Sequence, residues 1–265
     1  MRVSFRGVRG SVPWDQPDGA EHGCNTACIE ILDESTGAVL VLDAGSGICG
    51  VTPAPDANVA LVLTHYHWDH LLGLPYFPAL ADSRCALSLY APALPSHDPA
   101  WLDVLFREPF HPLPYRALPN HPAPRMIAPG RAAIGGFEVA AIALNHPGGA
   151  FAYRVAGRGG DFVFATDHEF GMPEYDEPFA AFAEGAAAVV LDAQFTPDER
   201  PRYAGWGHSD WRQCAEFAVA TGAGALYLFH HKPGRTDAEL REIERDARRV
   251  FDATRAAREG HTFTI

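Results

Sequence analysis

The run Thr64-His65-Tyr66-His67-Trp68-Asp69-His70 sets three imidazoles and one carboxylate within six residues, directly after the apolar run Val59-Ala60-Leu61-Val62-Leu63. Imidazole nitrogen and carboxylate oxygen suit borderline metals, so this set selects Zn²⁺, Mn²⁺ or Fe over Mg²⁺ or an iron–sulfur cluster. If the chain leaves a strand at Thr64 and enters a helix near Asp69, His65 and His67 project to one side of the turn. Asp69 and His70 then face a neighbouring position. Ligands so displaced serve two ions side by side better than one.

Residues of the same chemical type recur downstream, each after a strand-like run. Asp43 ends Val39-Leu40-Val41-Leu42, His146 follows residues 137–144, and Asp167 ends residues 161–166. Asp192 ends Ala188-Val189-Val190-Leu191, and the doublet His230-His231 follows residues 225–229. Side chains at the ends of several strands gather along one edge of a sheet system, where loops can shape a pocket without disturbing the core. Asp43 reads as a hydrogen-bond partner of a ligating His rather than a ligand. Pro147-Gly148-Gly149 marks a tight turn at which bare backbone, Gly148 above all, could approach a substrate.

The elements that must position these residues follow from hydrophobic periodicity. Strands are expected over 39–43, 59–64, 87–91, 137–144, 150–156, 161–166, 187–192 and 225–229, with a strand-like start at Met1–Phe5. Helices are expected near 70–81, 175–185, 211–221 and 237–257. Ser209 or Asp210 can cap the third of these, and Thr236 with Glu239 opens the last, for which Gly260 is the expected stop. Two sheets packed face to face with helices outside fit this α/β count, in one domain over residues 1–265. Residues 92–130 differ in kind: ten prolines lie among Trp101, Phe106, Phe110 and Tyr115. Each Pro removes a donor and restricts its predecessor, so this reads as a lid-like insertion with little regular structure. His97, His111 and His121 within it read as ordinary loop histidines. No internal repeat is legible.

The HxHxDH cluster at 65–70, the later His146, Asp167 and His230 resemble the metallo-β-lactamase superfamily of metal-dependent hydrolases, in an order and spacing that cover most of the chain. Gly7-Val8-Arg9-Gly10-Ser11-Val12-Pro13, Asn25-Thr26, Leu42-Asp43-Ala44-Gly45 and Gly207-His208-Ser209 resemble the branch that includes ribonuclease Z and small phosphodiesterases. The resemblance implies a four-layer αβ/βα sandwich. It implies that His65, His67 and His146 hold one divalent metal and Asp69, His70 and His230 a second, with Asp167 bridging them; zinc is expected first, manganese next. Asp69 would thus serve the catalytic centre directly. Two cations sharing a carboxylate and a water lower the water's pKa enough to supply a bridging hydroxide near neutral pH. His208 would donate to a phosphoryl oxygen or protonate the leaving group. The chain departs from the ribonuclease Z pattern at Leu191-Asp192-Ala193, where only the acid is matched and the preceding His is missing. Asp192 is then either a partner that orients His208 or an ordinary strand-end aspartate. Within the doublet the resemblance places the ligand at His230, and strand alternation turns His231 toward solvent or a substrate.

Composition narrows the partners. A net charge of −12 repels a polyphosphate backbone. The densest basic stretch, residues 241–258, is interleaved with acids and reads as a solvated helix face. The long Gly- and basic-rich insertion with which ribonuclease Z grips transfer RNA has no counterpart, so a small phosphodiester, cyclic or linear, is expected in place of a long nucleic acid. Five scattered cysteines read as reduced thiols, no stretch approaches a membrane span, and no targeting segment is visible, all of which point to a cytoplasmic chain. A homodimer is the expected assembly. The same water chemistry could attack a carbonyl, as in lactonases or glyoxalase II, where His208 would be dispensable. A non-catalytic ligand-sensing member or a flavin-partnered diiron oxygen reductase are the readings outside hydrolysis; the redox relatives commonly carry a carboxylate where this chain has His67 or His146.

Overall fold

Alternation along the central strands decides the layering. In β3 (Val39–Leu42), Leu40 and Leu42 join one buried cluster while Val39 and Val41 join another. In β10 (Phe162–Ala165), Phe162 and Phe164 face inward with the first cluster, and Val163 and Ala165 face a third. A strand that is apolar on both faces must be covered on both. Two such sheets therefore stack on each other and each takes helices on its outer face.

The computed structural model describes residues 1–15, 21–95 and 97–265. One sheet comprises β1 (Arg2–Gly7), β2 (Cys28–Leu32), β3, β4 (Asn58–Val62), β5 (Ala86–Pro92), β6 (Arg125–Ile127) and the last strand, β14 (Thr262–Thr264). The other comprises β7 (Gly130–Ile134), β8 (Phe137–Leu144), β9 (Ala150–Val155), β10, β11 (Ala188–Asp192), β12 (Leu226–Phe229) and β13 (Thr254–Ala256). The strand orders are 14-1-2-3-4-5-6 and 13-12-11-10-9-8-7. Each sheet is mixed: antiparallel from β1 to β3 and parallel from β3 to β6, antiparallel from β7 to β10 and parallel from β10 to β13. The short helices α1 (Pro78–Ala81) and α2 (Trp101–Leu105) cover the first sheet; α3 (Pro173–Ala183), α4 (Trp211–Thr221) and α5 (Asp237–Arg248) cover the second. This is the αβ/βα sandwich expected of the chain.

Several expectations need correction. The helix expected over 70–81 is broken into 3-10 turns at Trp68–His70 and Leu74–Tyr76 followed by the four-residue α1, because Gly73, Pro75 and Pro78 interrupt it. The last helix stops at Arg248, short of Gly260, since Thr254–Ala256 pair in parallel with β12. Strands β2, β6, β7, β13 and β14 were not in the expected set. Four of these five are edge strands or next to an edge strand, and three have only three residues, too short to show a period. Between Pro92 and Gly130, apart from Ser96, which lies outside the described residues, regular structure is limited to α2, β6 and one 3-10 turn at Tyr115–Ala117.

Candidate metal centre

Five strand ends deliver the site. β4 runs into the loop that carries His65, His67, Asp69 and His70, β8 ends just before His146, and β10 just before Asp167. β11 ends on Asp192, and β12 ends at Phe229, just before His230. Asp43, Asp167 and His230 each leave their strand through a left-handed residue, with φ of 65°, 57° and 58°. Such conformations cost non-glycine residues on the order of 1–3 kcal/mol each and persist where the surroundings over-determine them. Here they fold three strand ends back toward one point.

Around that point His65, His67, His146 and Asp167 present ligand-type atoms that all lie within 4.8 Å of one another, and so do Asp69, His70 and His230. Asp167 stands between the two groups. Its Oδ2 is 3.6 Å from His65 Nε2 and 3.7 Å from His146 Nε2. Its Oδ1 is 3.3 Å from both His70 Nε2 and His230 Nε2. Asp69 Oδ2 is 3.0 Å from His230 Nε2 and 3.3 Å from His70 Nε2.

The far sides of three imidazoles, His65, His70 and His146, are fixed. His70 Nδ1 donates to Asp43 Oδ2 at 2.8 Å, and His146 Nδ1 donates to the Gly207 carbonyl at 2.9 Å. Thr64 gives its hydroxyl proton to Asp43, so His65 Nδ1 donates to Thr64 Oγ1 at 2.9 Å. With Nδ1 protonated, Nε2 of each ring offers a lone pair to the cluster, the arrangement that metal-ligating histidines use. The buried His65 Nε2 has no hydrogen-bond partner. His146 Nε2 meets His67 Nδ1 at 3.0 Å, and His70 Nε2 meets His230 Nε2 at 3.4 Å. Unprotonated ring nitrogens converging this closely, with a buried orphan beside them, fit divalent cations and suit nothing apolar.

The charges agree. Burial alone opposes ionisation of Asp167, yet His230, His70 and His65 hold its carboxyl well below the usual range. Burial likewise opposes a charge on His70, and Asp69, Asp167 and Asp43 override it and raise its pKa well above the usual value. His65 goes the other way, lowered by burial and by the neighbouring imidazoles.

His208 sits at the rim of this cluster, with Nδ1 2.6 Å from Asp192 Oδ2 and 4.0 Å from Asp167 Oδ2. Burial lowers its pKa, but the charge and hydrogen bond of Asp192 outweigh this and carry it up to about 9. Asp210, and not Ser209, caps α4, through a capping box with Gln213. Ser209 instead donates to the His168 carbonyl. Gly148 lies in an exposed turn beside His146, with φ of 83°. His231 requires a correction. It is buried, its Nε2 donates to the Ala257 carbonyl at 2.8 Å, and its ring stands edge-on to buried His22. Because β12 has already ended at Phe229, strand alternation does not carry through the doublet, and His231 faces neither solvent nor the cluster.

Other contributors carry no side-chain signal in the sequence. The Ser11 backbone N–H donates to Asp69 Oδ2 at 2.7 Å. A Cβ at Gly10 would lie 2.4 Å from His230 Nδ1, and one at Gly207 2.1 Å from His146 Nδ1, so both positions exclude a side chain. The Gly7–Pro13 and Gly207–Ser209 segments were legible as motifs, but their backbone roles were not.

The family model described as "Beta-lactamase superfamily domain" matches residues 40–231, which contain every cluster residue named above. The Bacillus subtilis protein named "Probable metallo-hydrolase YhfI" is 26% identical over 236 residues, 87% of this chain and 86% of its own length. Its crystal structure, titled as a metallo-beta-lactamase fold protein, superposes with a TM-score of 0.75 at 20% identity, covering 99% of both chains. A ribonuclease Z from Bradyrhizobium sp. is 26% identical, covering 89% of this chain and 93% of that protein. A structure titled as a diphosphatase from the PhnP family superposes with a TM-score of 0.71 at 16% identity, covering 100% of this chain and 97% of that one. The match over residues 40–231, on this fold and with His/Asp clusters able to bind metal, establishes that the chain belongs to the beta-lactamase superfamily domain family, as a metal-dependent hydrolase of the metallo-β-lactamase superfamily.

Proposed function

We propose that the chain is a dinuclear phosphodiesterase acting on a small phosphodiester. His65, His67 and His146 would hold one divalent ion, Asp69, His70 and His230 the other, and Asp167 would serve both; zinc suits this donor set best, with manganese next. The observation that carries the two-ion reading is the division of Asp167, whose Oδ2 faces one group of imidazoles and whose Oδ1 faces the other. Divalent ions held there supply acidified water and stabilise negative charge on oxygen.

The chain's own residues would do the rest. Asp43 holds His70 in the tautomer that presents Nε2, and Gly207 does the same for His146. Asp192 keeps a proton on His208 at neutral pH. With Nδ1 committed to Asp192, His208 is left to donate from Nε2 to a phosphoryl oxygen or to the departing alkoxide. The similarity to ribonuclease Z and to a diphosphatase supports phosphorus over carbon as the centre attacked.

The test is turnover of bis(p-nitrophenyl) phosphate beside p-nitrophenyl acetate and a simple lactone by zinc- or manganese-loaded protein, with Asp69→Ala as blank. Diester hydrolysis that vanishes in the blank is the expected result. Ester or lactone turnover alone would move the protein to the carbonyl hydrolases and make His208 a structural residue.

A further inference from the structure

Beside the exposed His67 lies a recess of about 230 Å³ that the chemistry above does not use. Tyr66, Trp68 and Leu71 form one wall, and Trp101, Val104 and Leu105 of α2 form the other. We propose that this recess binds an apolar or aromatic substituent of the substrate while its reacting group lies at the metal cluster. The inference rests on reading that cluster as the reaction centre.

Three observations carry it. First, the recess and the cluster share one loop: Tyr66 and Trp68, which line the recess, flank His67 in the chain. Second, the walls are fixed. Tyr66 donates its hydroxyl proton to the Pro92 carbonyl at 2.8 Å, which leaves His97 Nδ1 to donate to the Tyr66 hydroxyl oxygen at 2.8 Å. The Tyr66 ring also packs 5.6 Å from that of Trp101. The Pro-rich insertion is thereby pinned to the metal loop, and the recess exists before any ligand arrives. Third, Trp68 is 62% exposed, and an apolar group bound against it would remove ring surface from water.

Size and charge define the occupant. Whole small-molecule sites usually measure about 300–1,000 Å³, so this one takes a ring-sized part of a substrate. Among the described residues, Asp98 is its one charged lining residue and no Lys or Arg lines it, which disfavours a second phosphate. The recess beside His146 contrasts with it, since Arg200, Glu169 and Asn145 line that one.

The experiment titrates the zinc-loaded full chain with N-phenyl-1-naphthylamine, a neutral dye that brightens in apolar surroundings. Parent protein should show one saturable site. Val104→Arg, which puts a cation in the wall, and Val104→Trp, which fills the space, should each weaken it at least tenfold and raise KM for bis(p-nitrophenyl) phosphate. Val219→Arg, at an exposed position on α4, should titrate like the parent. Dye binding that is absent from the parent, or identical in all four proteins, would overturn the proposal. Variant-sensitive dye binding without any diester turnover would retain the apolar site and remove the phosphodiesterase reading instead.

Discussion

His208 shows how one side chain sets the chemistry of another. Asp192, 16 residues earlier, holds its Nδ1 at 2.6 Å and keeps the ring protonated through neutral pH. His208→Ala should leave bound metal unchanged, by elemental analysis, and slow turnover by about a hundredfold or more, the usual scale for one acid–base group; an unchanged kcat would make His208 structural. Asp43→Ala removes the acceptor that orients His70 and should weaken metal affinity by about tenfold or more, read by competition with a chromogenic chelator. At this scale the sequence was most legible where side chains do the work: the cluster at 65–70 needed only residue type and spacing, whereas His146, Asp167 and His230 were singled out among similar strand-end residues by the family resemblance. It was least legible where backbone does the work. Nothing in a run such as Phe229-His230-His231 marks the left-handed residue that sends His230 inward and His231 into the core. The Ser11 N–H on Asp69 is equally silent, because every residue but proline has one.

The connecting segments are tied by charge as well as by packing. Glu199, in the stretch after β11, pairs with Lys232 Nζ at 2.8 Å and with Arg235, both in the stretch after β12. Burial would raise its pKa, yet these partners lower it from 4.5 to about 2. A carboxyl depressed in the folded state adds stability above its unfolded pKa, and that stability is lost as pH falls through the folded value. Glu199→Gln should therefore lower Tm near pH 6, and the gap from the parent should narrow as pH falls from 4.5 toward 2; a constant gap would mean the pair contributes nothing. At α4, Asp210→Ala removes the carboxylate that accepts from the Arg212 and Gln213 N–H groups, one half of the capping box, and should cost about 1 kcal/mol in denaturant unfolding. Long central strands and both capped helices were readable from period and cap residues. Short edge strands were not, since β6, β13 and β14 exist through pairing with neighbours rather than through a pattern of their own. The overrun of α5 has a similar cause: Arg249 to Ala253 continue the charged composition, but tertiary pairing of Thr254–Ala256 claims the chain.

Across the whole molecule the two sheets repeat one plan. β1 to β6 and β8 to β13 each run three strands antiparallel and then continue in parallel, a duplication that no sequence repeat discloses. The parallel halves bring the ends of β3 and β4 and of β10 to β12 to one edge, so each half supplies part of the cluster and neither holds it alone. Among the described residues no helix is long and apolar enough to cross a membrane. The charge of −12 favours a small diester over a polyanionic RNA, and precursor transfer RNA should remain uncleaved under conditions that hydrolyse the small diester. The central claim is that these two halves close around a pair of ions. Its most direct test is the metal content of zinc-reconstituted protein after exhaustive desalting, measured beside Asp167→Ala. Two equivalents per chain, falling to one or fewer in the variant, is the predicted result; a single equivalent in the parent, or two retained without Asp167, would contradict it.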